Sequence, residues 1–274
     1  MGRPTTKQVL LELLRVSPRP MAARQLVGVG KLLGFEENAT RVALARLVQK
    51  GLLENHDGQY ALTDEARSLG RWVEGWRRGD RRLRPWKRDW LCVLHPQGVT
   101  RTPRRRSHRA LERLGFREGL PKLWVRPNNL LAGRDAVELE LVELGLAEGA
   151  ELFVAESFSA TVTDRWVSDL WPIATLRANL TDALDAIAKS KPRLETLPTL
   201  VSLVESFQVG SGALRQLVRD PLLPDEIHDG SVRRELTRAL QDYDRIGKTL
   251  WSPDRVASAI AEASITSKPK ARLQ

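Results

Sequence analysis

Along the first sixty residues, apolar positions recur at the spacing of amphipathic helices. In "TTKQVLLELLRVSPRP" Val9, Leu10, Leu13 and Leu14 mark one face, a Thr caps the start, and Ser17-Pro18 ends the run, which predicts a first helix. "AARQLVGVGKLLGF" predicts a second, shorter helix ending near Gly34, and "ENATRVALARLVQKGLL" a third ended by Gly51. The period then shortens to that of strands. Two of them, about 52–55 and 59–62, flank His56-Asp57-Gly58, and Asp-Gly tolerates the positive φ of a tight hairpin. Three helices followed by a two-stranded hairpin is the order of a winged helix-turn-helix.

Further along, "TDEARSLGRWVEGWRRGDRRLRPWKRDW" opens with a Thr cap and two acids, a well-formed start for a linker helix expected to end near Gly79-Asp80. "DWLCVLH" reads as a strand, "PRRRSHRALERLGF" as a helix, "KLWVRPN" as a strand, "RDAVELELVELGL" as a helix and "ELFVAESF" as a strand, with a further short strand starting at 116–118. This βαββαβ order predicts a ferredoxin-like sheet. From Arg165 the pattern is helical, over about 165–190, 197–218 and 232–250, with a short helix after Ser252-Pro253. The expected class is α+β. Its parts are a winged helix-turn-helix with its linker helix at 1–80, a ferredoxin-like dimerisation domain at 86–160, a helical C-terminal domain at 165–262, and a frayed tail at 263–274.

Charge changes this picture from a fold to a candidate partner. The net charge is +10 and the isoelectric point near 10.2. Between Arg71 and Arg109 stand thirteen lysines and arginines against three acids, an excess equal to that of the whole chain. Charge concentrated in this way marks a polyanion partner; the other reading is a basic surface kept for solubility. In "VTRTPRRRSHRALERLGF", Thr102 and Pro103 read as N-cap and first helical residue. Arg104, Arg105 and Arg106 then stand where the helix dipole favours acids. A docked phosphate would account for them, as would acids of the C-terminal region or of a second subunit. The phosphate-contact candidates are Arg77, Arg78, Arg81, Arg82, Arg104, Arg105 and Arg106.

The base-reading candidates lie on the third helix. Projected at ~100° per residue, Thr40, Ala43, Leu44 and Leu47 face inward, and Asn38, Arg41, Val42, Ala45, Arg46 and Gln49 face out. Arginine and amides can pair with guanine and adenine edges, and small apolar groups can meet thymine methyls; an amphipathic helix in an ordinary helical domain is the competing reading. The hairpin "ENHDGQYAL" contains no Lys or Arg and carries Glu54 and Asp57, whereas a wing laid along phosphates is usually basic. Trp72, Trp76, Trp86 and Trp90 sit among the arginines, either as a stacking platform for single strands or as apolar anchors.

Catalytic chemistry finds little support. The four histidines are scattered, and no phosphate-binding, dinucleotide-binding or nucleophile-elbow motif occurs. Glu138 and Glu140 read as the solvated face of their helix. Cys92, the lone cysteine, excludes disulfides and cysteine zinc sites within one chain. No stretch approaches the ~20 apolar residues of a membrane span, and with no signal-peptide layout at the start a cytoplasmic protein is expected, without cofactor or metal.

In order along the chain come "RVALARLVQKGLL", Gly115-Phe116, "LWVRPNNL" at 123–130, Leu170-Trp171 and "RQLVRDPLLP" at 215–224. This series resembles the PaaX-type transcriptional repressors of phenylacetic acid degradation. The resemblance implies a winged helix, a middle domain similar to small dimeric CRISPR-associated endoribonucleases, and a helical C-terminal domain. It also implies a homodimer on double-stranded DNA, released by an acyl-CoA effector. Arg215 and Arg219 match arginines before the family's Asp-Pro and are effector candidates; pairing with Asp220 or Asp225 is the structural alternative. After "DPLLP" the chain departs from the family pattern: "DEIHDGSVRREL" keeps Gly230 and lacks the usual tryptophan. The related nucleases carry a metal-binding acid at the end of the first strand, where this chain has His95. A nucleic-acid-processing or RNA-binding protein using that middle domain is the alternative reading.

Overall fold

The computed structural model describes residues 5–17, 19–64, 66–67, 75–252 and 255. The chain divides into two compact units, one formed by 1–77, 185–214 and 239–274, the other by 78–184 and 215–238. The segment 165–262, expected as a helical domain, thus contributes to both. The helix expected after Ser252-Pro253, the tail from 263, and most of the linker helix with Trp72 lie outside the described residues.

In the first unit, α1 (Thr6–Val16) is closed at its start by a capping box, Thr5 with Gln8. There follow a short strand β1 (Met21–Ala22), α2 (Ala23–Leu32) and α3 (Glu37–Gln49). β2 (Leu53–His56) and β3 (Gln59–Leu62) come next, in an antiparallel sheet of order β1-β3-β2. Asp57 and Gly58 both take positive φ, 52° and 78°, the geometry a two-residue hairpin requires. Gly30 sets the approach of α2 to α3, since a Cβ there would stand 2.7 Å from Thr40 Oγ1. Leu10, Leu14, Leu26, Leu44, Leu47 and Leu53 form the core beneath α3.

The second unit holds the four-stranded sheet. β4 (Trp90–Leu94), α4 (Arg101–Arg113), β5 (Arg117–Leu120), β6 (Leu123–Pro127), α5 (Gly133–Leu144) and β7 (Glu151–Ala155) follow in order. All pairings are antiparallel, in the order β5-β6-β4-β7. This is the ferredoxin-like arrangement expected from βαββαβ, and the protein is α+β. Trp90 and Cys92 point from β4 into a cluster with Val125, Trp166 and Trp171, while Leu91 and Val93 alternate to the opposite face and are equally buried.

Four further α-helices follow among the described residues: α6 (Ala160–Asp169), α7 (Ile173–Ser190), α8 (Thr199–Arg219) and α9 (Ser231–Leu250). The single helix expected over 165–190 is two, because Pro172 has no amide to donate and Leu170-Trp171 turns the chain before it. α4 begins at Arg101 with Thr100 as its N-cap, so Thr102 is not the cap and Pro103 is its third residue. Proline fits there too, because amides of the first turn have no helical acceptor.

Candidate nucleic-acid interface

On α3 the inward residues Thr40, Leu44 and Leu47 are buried, and Asn38, Arg41, Val42, Ala45, Arg46 and Gln49 are all exposed. The face therefore presents two guanidiniums, two amides and two small apolar side chains. Arg41 donates from Nε and Nη2 to Glu37 Oε1, at 3.1 and 2.8 Å. Lys31 stands 2.8 Å from the same carboxylate, and the two cations hold Glu37 below its ordinary pKa, Lys31 more strongly. An exposed pair of this kind contributes little stability, so Arg41 can exchange it for another acceptor. On the hairpin, His56 lies 3.7 Å from Glu54.

The arginines expected on phosphates divide. Arg78, Arg81, Arg104, Arg105 and Arg106 are exposed. Arg77 donates to Asp244 Oδ2 at 2.8 Å and lies 4.9 Å from the ring centre of Trp76. Arg82 is turned inward, its pKa lowered by burial against the pull of Glu140. That carboxylate is half-buried and its own pKa is raised by burial, so it is not part of a solvated face. The side chain of Arg106 covers Gly145, placing a cation at the C-terminus of α5, where the helix dipole favours one. Trp76, Trp86 and Trp90 are buried, which supports their reading as apolar anchors.

The family model of PaaX-like protein matches residues 6–66, the whole span of the three helices and the hairpin. The N-terminal module is similar to PaaX-like protein. Among solved structures, uncharacterized protein Rv0674 from Mycobacterium tuberculosis is similar in fold, with a TM-score of 0.58 and 21% identity over 93% of this chain and 98% of that one. No curated protein matches the chain.

The segments that carry the PaaX resemblance beyond residue 66 converge in the second unit. Asn129 of "LWVRPNNL" donates from Nδ2 to the carbonyl of Leu222 in "RDPLLP", at 2.8 Å. Trp171 Nε1 donates to Gly115 O at 3.1 Å. A Cβ on Gly115 would stand 2.6 Å from Pro221 O. Arg126 is fully buried and donates to the carbonyls of Leu114 and Pro127 and to Asn129 Oδ1. Burial pulls its pKa down to about 9, and the charge of Arg82 adds to the effect. Asp220 Oδ1 accepts from the amide of Leu222 at 2.7 Å, whose φ is +54°. The motifs that carry the resemblance beyond residue 66 therefore build the scaffold of the second unit.

The effector candidates sit on the same helix. Arg219 is exposed, and Arg215 is half-buried with its Nη1 atom buried and without a hydrogen-bond partner. Asp220 and Asp225 pair instead with Arg233 and Arg234, at 3.2 and 3.1 Å. At the end of β4, His95 Nε2 lies 3.1 Å from Ser107 Oγ and Nδ1 lies 3.3 Å from Pro96 O. Among the described residues, no group of three or more His, Cys, Asp or Glu is placed to hold a metal, and no helix is long and apolar enough to cross a membrane.

Proposed function

We propose that this protein is a sequence-specific DNA-binding transcriptional regulator, a repressor released by a small-molecule effector of the aryl-CoA type. The observation that carries the reading is the exposed α3 face, on a module with the element order of a winged helix and a PaaX-like sequence. Arg41, Arg46, Asn38 and Gln49 read base edges in the major groove, and Val42 and Ala45 meet thymine methyls. The hairpin brings no cation, so phosphate contacts fall to the exposed Arg78, Arg81, Arg104 and Arg105. Arg215 and Arg219 are the anion-binding candidates for the effector.

The working form is a homodimer assembled through the ferredoxin-like unit. Leu139 and Val142, one turn apart on α5, are 68% and 60% exposed. Apolar groups gathered in this way mark association surfaces. A dimer places two recognition helices on half-sites about 34 Å apart, or a multiple of that.

A mobility-shift titration tests the reading, with the duplex upstream of the protein's own gene set against a shuffled duplex, in magnesium and in EDTA. The native duplex is expected to shift at lower protein concentration than the shuffled one, and uncut. Arg41→Ala is expected to weaken that shift by ~1–3 kcal/mol while leaving the shuffled duplex unaffected. Arg105→Ala should weaken both duplexes alike and flatten the salt dependence. Equal shifts of both duplexes by the unaltered protein, or cleavage in magnesium only, would replace this reading with a nucleic-acid-processing one.

A further inference from the structure

Among the described residues, positive φ falls on nine glycines and on four residues with a side chain: Asp57, Arg88, Lys122 and Leu222. That region disfavours a Cβ, with Asn and Asp the common exceptions. Asp57 belongs to its hairpin, and Leu222 is buried beside Asp220, which accepts from its amide. Arg88, at φ 64°, is exposed, so packing does not account for its side chain. We propose that the turn Lys87-Arg88 contacts the sugar-phosphate backbone of duplex DNA. The proposal rests on the regulatory reading above and adds two residues to its phosphate contacts.

The turn is fastened on both sides. Trp86, buried in the tryptophan cluster, donates from Nε1 to the carbonyl of Asp89 at 2.6 Å. The same carbonyl accepts from the amide of Asn128 at 3.0 Å, and Asp89 Oδ2 accepts from Asn128 Nδ2 at 2.6 Å. Upstream, the amide of Arg84 donates to Asn129 O at 2.9 Å, and that of Leu131 to Arg82 O at 2.7 Å. The stretch 82–89 is thus tied to 128–131 before and after the turn. The reversal between Trp86 and Asp89 is closed by the left-handed backbone at Arg88.

Glycine would take that backbone without strain. What arginine adds is charge, and backbone strain that persists under a polar side chain marks functional positions. The surroundings leave the charge free. Over 78–89 the exposed cations are Arg78, Arg81, Lys87 and Arg88, and none makes an ion pair among the described residues. The acids of the stretch are held by other partners. Asp80 pairs with Arg233 and Arg234 at 2.8 and 3.1 Å. Asp89 bonds to Asn128 and lies 3.7 Å from Arg84. Cations presented on a fixed turn, with the neighbouring acids withdrawn, fit a partner of repeated negative charge. Duplex DNA is favoured over an acidic protein because the hairpin of the N-terminal module contains no Lys or Arg, which leaves its phosphate contacts to other segments.

Arg88→Gly separates charge from structure, because it removes the cation and relieves the backbone together. Mobility shifts of the full chain on the native and shuffled duplexes are followed from ~50 to ~200 mM salt, beside thermal unfolding. Arg88→Gly is expected to bind both duplexes ~5–10-fold more weakly at ~0.1 M salt and to flatten the salt slope by about one. Its unfolding temperature is expected to rise by about 1–3 °C. Lys87→Gln, where φ is ordinary, should weaken both duplexes to the same degree and leave the unfolding temperature unchanged. Lys122→Gly is the control. It removes an exposed cation at φ 66° beyond the opposite end of β4, and the shift should not change.

Unaltered affinity and slope in Arg88→Gly and Lys87→Gln overturn the contact and leave the turn to an acidic protein. An unfolding temperature that falls in Arg88→Gly overturns it as well, since the side chain would then serve the fold. Equal weakening by Lys122→Gly would assign the effect to net charge alone and overturn the turn as its source. A chain that prefers neither duplex yet loses affinity for both in Arg88→Gly keeps the contact and loses the regulatory reading. A chain that prefers its native duplex and is indifferent to Arg88→Gly does the reverse.

Discussion

The two units are held together by different chemistry. Beneath α3 the first unit is almost entirely leucine: Leu10, Leu14, Leu26, Leu44, Leu47, Leu53 and Leu62. The second buries four tryptophans, Trp86, Trp90, Trp166 and Trp171, in one cluster, with Trp90 in T-shaped contact with Trp86 and Trp166 at 5.3 and 5.4 Å. It also buries charge. Arg233, 1% exposed, donates to both oxygens of Asp80 and to Asp220. A leucine core specifies little beyond volume and pattern. Buried polar groups demand particular partners at particular distances. The leucine core belongs to the module that the family model of PaaX-like protein matches, and the polar core contains the further motifs that resemble the same family.

The largest expected effect comes from breaking the second core. Arg233→Ala leaves the buried Asp220 without its cation, while Asp80 keeps Arg234, and is expected to cost about 3–5 kcal/mol in urea unfolding. A loss below ~1 kcal/mol would remove the contrast between the units. In the first unit the sensitive point is steric. Gly30→Ala drives a methyl against Thr40 Oγ1 and should cost about 1–3 kcal/mol, most of it recovered when Thr40→Ala is added. No recovery would mean that the two helices are not set by that contact.

The smallest effect is one of acidity. Burial alone would raise the pKa of Asp80, but the hydrogen bonds and charges of Arg233, and then of Arg234, outweigh it and hold it below the ordinary 3.8. A carboxylate lowered on folding stabilises above its unfolded pKa, and that contribution disappears as pH falls through the folded value. Thermal unfolding followed downward from pH 5 should therefore fall more steeply in the unaltered protein than in Asp80→Asn. Parallel curves would remove the pair from the acid sensitivity of the second unit.

Local pattern carried much of the architecture. The inward and outward faces of α3, the hairpin at Asp57-Gly58 and the βαββαβ order each depend on residues near one another in sequence. Features closed by distant residues were not legible. Arg77 meets Asp244, 167 positions away, and Arg82 faces Glu140 from another element, so their charge alone placed them on a solvated surface. The cap of α4 went to Thr100 rather than Thr102 because both threonines precede a helical run and only the backbone chooses between them.

The division of α1 between two clusters bears on where the N-terminal module ends. Leu10 and Leu14 belong to the core under α3, whereas Val9 and Leu13 pack with Val29, Leu33, Phe207 and Trp251. The family match stops at residue 66, but the folding unit does not. A fragment cut there would carry an uncovered apolar stripe along α1 and α2, the kind of surface through which copies adhere. Moving this module into another protein would mean transplanting the C-terminal helices with it, or redesigning those four positions for water.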